Sequence, residues 1–106
     1  MRMPTTDAFG ALANPVRREI LGMLRIRSRT AGEISGSFDL GRPAVSEHLQ
    51  VLRLAGLVRE ESQGRQRVYH LDASGLVELS DWLVPFRKYW KQRLNALEKT
   101  LDEEYP

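Results

Sequence analysis

Apolar residues at Val16, Ile20, Leu21 and Leu24 recur at the three- and four-residue spacing that gathers them on one face of a helix. Asn14-Pro15 opens that helix, because an asparagine side chain caps free amides and proline fits the first helical position. Ahead of it, Phe9 and Leu12 mark a short first helix ending near Ala13. The polar stretch Arg25 to Arg29 breaks the pattern. Thr30-Ala-Gly-Glu33 restarts it as a capping box, with Ile34 facing inward on a short third helix. Phe38-Asp-Leu-Gly41 reads as a tight turn with two apolar anchors. Arg42-Pro43 then opens a fourth helix whose Val45, Leu49 and Leu52 form one stripe, ended by Gly56 as a left-handed terminator.

Past Gly56 the period changes. Leu57 to Glu61 and Arg67 to Leu71 read as short strands around Ser62-Gln63-Gly64-Arg65, a hairpin with glycine at its tip. Asp72 can cap the segment that follows, in which Leu76, Leu79, Leu83, Phe86, Trp90, Leu94, Leu97 and Leu101 recur every three or four residues. Pro85 interrupts this ladder, which predicts either a bend near Trp82–Pro85 or two separate helices. The pattern therefore predicts about five helices and one hairpin, a mainly α fold. It occupies 1–106 as one domain, with a core and hairpin over 7–71 and a terminal helix over 72–101.

Charge sharpens the picture once it is divided along the chain. Residues 1–71 carry +4, every cation being arginine, and residues 72–106 carry −2, which together give the net +2. Arginine presents a planar fork of donors that suits phosphate oxygens and guanine edges. There is no cysteine, which excludes disulfides, thiolate metal sites and cysteine nucleophiles. No apolar run is long enough for a membrane span or a signal-peptide core, so a cytoplasmic protein is expected.

Two short helices, Thr30 to Ser37 and Arg42 to Leu54, joined by a brief turn and followed by a basic hairpin, predict a winged helix-turn-helix. On a wheel centred on Val45, Pro43, Ser46, Glu47 and Gln50 lie opposite the buried stripe, free to enter a major groove. Ser46 and Gln50 can reach base edges, and glutamine can pair with adenine through two hydrogen bonds. Arg42 and Arg53 flank that face and suit phosphate or a groove edge. In the hairpin, Arg65 and Arg67 bracket Gln66, with Arg59 on the facing strand. Glu60 and Glu61 sit on the entering strand, which leaves a purely cationic tip expected to meet a minor groove or flanking backbone. The bland readings are a solvated helix face and an ordinary surface turn.

These residues resemble a known family. The runs Phe9-x-Ala-Leu-Ala-Asn-Pro-x-Arg17-Arg18-x-Ile-Leu, Arg42-Pro-Ala-Val-Ser46-x-His48-Leu-x-x-Leu-x-x-Ala-Gly-Leu-Val58 and Gly64-Arg65-x-x-x-Tyr69-x-Leu71 are similar to those of ArsR-type winged-helix repressors. The resemblance implies a homodimeric repressor of double-stranded DNA, with a recognition helix at Arg42 to Leu54 and a wing at Val58 to Leu71. It also implies terminal helices that pair across the dimer, and two recognition helices related by a two-fold axis are expected to read a palindromic operator. Where many relatives bind metals through Cys-x-Cys, this chain has Glu33-Ile-Ser35-Gly-Ser37, and serine hydroxyls do not hold soft metals. No histidine follows Ala73 to join Asp81, so the chain resembles the cysteine-free, autorepressor-like branch. Neither a metal effector nor a cofactor is expected.

The remaining residues admit several readings. His48, at the edge of the buried stripe, reads as a hydrogen-bonded packing residue rather than a ligand, and His70 as structural. Trp82, Phe86, Tyr89 and Trp90 either cap the monomer's own core, line a small-molecule pocket, or bury the leucine ladder against a second copy. The last is favoured, with Phe9, Leu12, Leu79, Leu83, Phe86, Trp90, Leu94 and Leu97 as the pairing face. No nucleophile, phosphate loop or carboxylate pair points to an enzyme. The alternatives carried forward are a winged-helix protein-interaction module without DNA binding and a repressor sensing an organic ligand at the dimer interface.

Overall fold

A computed structural model describes residues 7–104; the ends of the expected domain, 1–6 and 105–106, lie outside the described residues. The chain runs α1 (Ala8–Leu12), α2 (Pro15–Ile26), β1 (Arg29–Thr30), α3 (Ala31–Gly36), α4 (Arg42–Leu54), β2 (Val58–Gln63), β3 (Gln66–Leu71), α5 (Ser74–Leu83), one 3-10 turn (Val84–Phe86) and α6 (Arg87–Glu104).

Helix starts follow the capping chemistry. Asp7 Oδ1 accepts from the Gly10 amide, and Asn14 Oδ1 accepts from those of Val16 and Arg17. At α3 the capping box closes in both directions: the Glu33 amide donates to Thr30 Oγ1 at 3.1 Å, and the Thr30 amide donates to Glu33 Oε1 at 3.2 Å. Gly56, at φ +73°, ends α4 with its amide on the Arg53 carbonyl and that of Leu57 on Leu52. Asp72 reaches the Ser74 amide at 3.0 Å. That hydrogen bond holds its carboxyl below the usual carboxylate range.

The core joins Ile20, Leu21 and Leu24 of α2 to Ile34 of α3, Val45, Leu49 and Leu52 of α4, and Leu57, Val58 and Tyr69 beside the sheet. In α1 the buried residues are Ala8 and Ala11; Phe9 points outward and Leu12 is only partly buried. Of the two anchors expected in the turn, Phe38 packs against the core and Leu40 is exposed.

The sheet has three strands in the order β1-β3-β2, all antiparallel, rather than a lone hairpin. The extra strand pairs Arg29 with Tyr69 and Thr30 with Val68. The hairpin is longer than its apolar residues suggested, pairing Val58 with Leu71 through to Gln63 with Gln66. Its loop is therefore Gly64-Arg65, with Gly64 supplying the positive φ of +63° that tight hairpin loops need.

Pro85 divides the terminal segment into two helices through the 3-10 turn, the Val84 amide bonding back to Ser80 and that of Arg87 to Val84. From Ser80 to Glu103 every side chain is exposed. The radius of gyration is 17.8 Å, against about 13 Å for a compact chain of ~100 residues.

Candidate nucleic-acid interface

The buried stripe of α4 locks its rotation, since Val45, Leu49 and Leu52 are all essentially excluded from solvent. Pro43, Ser46, Glu47, Gln50 and Arg53 are then left exposed on the opposite side. Gln50 Oε1 accepts two hydrogen bonds from Arg53, from Nε at 3.3 Å and Nη2 at 3.0 Å. Its amide NH2 remains free to donate, but a two-bond pairing with adenine requires Arg53 to let go of the oxygen.

Arg42 opens α4 yet leans away from that face. Its guanidinium lies over the first turn of α3, with Nη2 3.7 Å from where a Cβ on Gly32 would stand. It lines a groove of about 330 Å³ with Thr30, Gly32, Arg65, Gln66 and Arg67, so the start of the helix-turn-helix and the hairpin tip face one another. The sequence suggested a purely cationic tip; Arg65 in the loop meets no acid among the described residues, but the charge of Arg67 is shared with Glu60. Arg67 Nη1 lies 3.5 Å from Glu60 Oε1 across the hairpin, and Tyr69 donates its hydroxyl to Glu60 Oε2 at 2.9 Å. Facing strands bring these side chains together although they are distant along the chain. Burial first, and then the bond to Glu60, push the Tyr69 phenol above its ordinary pKa. Arg59 stands opposite His70 at the root of the wing, away from the tip. Among the described residues, neither Arg42 nor Arg65 pairs with an acid.

Arg17 acquires a role the sequence did not show, while the two histidines take the packing and structural places read for them. Arg17 Nε donates to the Ala11 carbonyl at 2.6 Å and Nη2 to that of Gly10 at 3.3 Å, while Nη1 lies 3.2 Å from His48 Nδ1. One guanidinium thus ties the end of α1 to α4. As an obligate donor, Arg17 makes His48 Nδ1 the acceptor. His70 bridges the sheet, with Nδ1 on Ser28 Oγ and Nε2 on Glu61 Oε2 at 3.0 Å. Both histidines are hydrogen-bonded within the fold. The described residues contain no group of three or more His, Cys, Asp or Glu placed to hold a metal, and no helix long and apolar enough to cross a membrane.

At the terminal segment, Phe9, Leu83, Phe86, Trp90, Leu94 and Leu97 are exposed, whereas Leu12 and Leu79 spend part of their surface on the core of their own chain. The aromatics do not cap that core. They form an outward row in which Phe9 meets Trp82 edge-on at 5.7 Å and Trp82 meets Phe86 at 4.9 Å.

A helix pair with a buried second-helix stripe, followed by a hairpin whose arginines face the first turn of the pair, defines a winged helix-turn-helix protein. The family model described as "Bacterial regulatory protein, arsR family" matches residues 14–60. The chain is 37% identical over 97 residues to the HTH-type transcriptional regulator Rv2034 of Mycobacterium tuberculosis, covering 92% of this chain and 88% of that protein. It is 31% identical over 80 residues to the transcriptional repressor SdpR of Bacillus subtilis, covering 76% and 89%. The crystal structure of the ArsR family transcriptional regulator RHA00566 superposes with a TM-score of 0.71 at 31% identity, covering 79% of this chain and 87% of that one. The chain belongs to the ArsR family: it is a DNA-binding transcriptional regulator and not an enzyme.

Proposed function

We propose that this regulator is a cytoplasmic repressor that binds a palindromic operator as a homodimer. Helix α4 enters the major groove with Pro43, Ser46, Glu47 and Gln50 toward the bases, while Arg42, Arg53, Arg65 and Arg67 serve the backbone and groove edges. The observation that carries this reading is the fixed rotation of α4, whose apolar stripe is spent on the core while its polar face stands free beside the arginine-lined hairpin. Repression is supported by the kinship with SdpR, which is named a repressor. Cysteine is absent from the whole chain, which supports a regulator that does not answer to soft metals.

Fluorescence anisotropy with the pure protein, a duplex it selects from a random pool, and a scrambled duplex tests this. Replacing Arg65 and Arg67 together should weaken binding to both duplexes and flatten the salt dependence, whose slope is about −0.9 per phosphate neutralised. Gln50→Ala should instead narrow the gap between the duplexes, by about 1–3 kcal/mol for a base-specific pair of hydrogen bonds. A protein with no salt-sensitive affinity for either duplex would sink the reading.

A further inference from the structure

We propose that the groove between α3, the start of α4 and the wing tip is a seat for a single backbone phosphodiester of the bound DNA, gripped by Arg42 from one wall and Arg65 from the other. The proposal rests on the DNA-binding reading above and adds to it that wing and recognition helix hold the same phosphate. At about 330 Å³ the groove sits at the lower end of the ~300–1,000 Å³ range of small-ligand sites. It is partly open to solvent, which leaves room for one charged group carried on a continuing chain.

Its charge is equally specific. Three arginines line it, and of these, among the described residues, only Arg67 has an acid within reach, at 3.5 Å, which steadies that side chain between β3 and β2. Arg42, from the start of α4, and Arg65, from the hairpin loop, both line it with no carboxylate partner among the described residues. A phosphodiester offers two unesterified oxygens that share one negative charge, and each guanidinium fork can take one of them. Gly32 lines the same groove, and a Cβ there would stand in ordinary contact with Arg42 Nη2 at 3.7 Å, so a longer acidic side chain at this position would meet that guanidinium.

Two arginines on one phosphate act as a unit, so their losses should not multiply. Arg42→Ala and Arg65→Ala should each weaken binding of the selected duplex roughly tenfold, as expected for a charge-assisted hydrogen bond. The double variant should also lose roughly tenfold rather than a hundredfold, with a salt slope lower by about 0.9, one phosphate's share. Single neutral methylphosphonate linkages, scanned along the duplex, should reveal one position per half-site. Neutralising it should weaken the wild type and leave the double variant unchanged.

Gly32→Glu adds an independent arm. An acid in the first turn of a helix is favourable and a glycine is lost there, so the variant should melt at or above the wild-type temperature. Its carboxylate would occupy the seat, and DNA affinity should fall about as far as in the double variant. Losses that multiply and map to different linkages would overturn the shared seat, as would a Gly32→Glu protein with undiminished affinity. In both cases DNA binding itself would persist. Absence of any salt-sensitive DNA binding in the wild type would instead remove the underlying reading, and the seat with it.

Discussion

A methyl group on Gly75 would stand 2.7 Å from the Gly56 carbonyl oxygen and 2.8 Å from that of Ala55, closer than a side-chain carbon can approach. The Gly75 amide donates to Gly56 at 2.8 Å, and Ser74 Oγ adds a second bond to the same carbonyl. The terminal segment is therefore docked onto the end of α4 through bare backbone. Gly75→Ala should force the two apart and cost about 1–3 kcal/mol, the usual penalty for overpacking. Urea denaturation of the two proteins measures it; an unchanged midpoint would show that the junction relaxes freely. Neither this contact nor the Arg17–His48 link was legible in the sequence, where Gly75 is one small residue near a helix start. Arg17 and His48 stand 31 positions apart. Local patterns announce caps and stripes, but a bond between distant side chains has no local signature.

At the scale of elements, what was legible had a period or a punctuation mark. Helix α4 runs from Arg42 to Leu54 as its stripe and terminator foretold, and α2 begins at Pro15 behind the Asn14 cap, as that punctuation foretold. Strand β1 was not legible, because two residues carry no alternation and its only sign is pairing with β3. The hairpin was under-read because Ser62, Gln63 and Gln66 are polar and exposed, so their strand character comes from the ladder rather than from burial. The site was legible to the same degree: the stripe of α4 disclosed which face stays free, whereas the groove joining Arg42 to Arg65 exists only once the hairpin folds back.

The capping box that opens α3 yields a pH prediction. The Thr30 amide first, and then Arg27 at 2.8 Å, hold the Glu33 carboxyl below its ordinary pKa. A carboxyl lowered by folding stabilises in its charged form. Its contribution is complete above the unfolded carboxylate pKa and disappears as the pH falls through the lowered value. Glu33→Gln can still accept from Thr30 but cannot pair with Arg27. It should melt below the wild type at pH 7, and the difference should shrink toward pH 3. Thr30→Ala should cost about 0.5–2 kcal/mol by loss of the cap. Thermal melts across that range decide it; parallel curves for Glu33→Gln and the wild type would remove Glu33 from the acid response.

At the scale of the whole molecule, the terminal helix is the element the chain does not explain by itself. Helices in proteins draw most of their stability from packing an apolar face, yet all the described side chains of α6 are exposed, including Trp90, Leu94, Leu97 and Leu101. With Phe9, Trp82 and Phe86 they form an apolar face of the kind that monomers rarely leave open. In the proposed homodimer, a second copy related by a two-fold axis would cover this face with its own equivalent. The same axis would set two recognition helices about 34–36 Å apart, one turn of DNA, as a palindrome requires. Trp90→Glu places a carboxylate in the middle of that face, and burying it unpaired would cost several kcal/mol in each subunit. Because the core from Ile20 to Tyr69 is built without α6, the variant should stay folded. It should sediment as a monomer and lose most of its affinity for a two-half-site duplex, while keeping the wild type's weak, salt-sensitive binding to a single half-site. Analytical ultracentrifugation beside anisotropy on both duplexes tests each part. A folded monomer with undiminished affinity for the full site would show that recognition does not depend on this face.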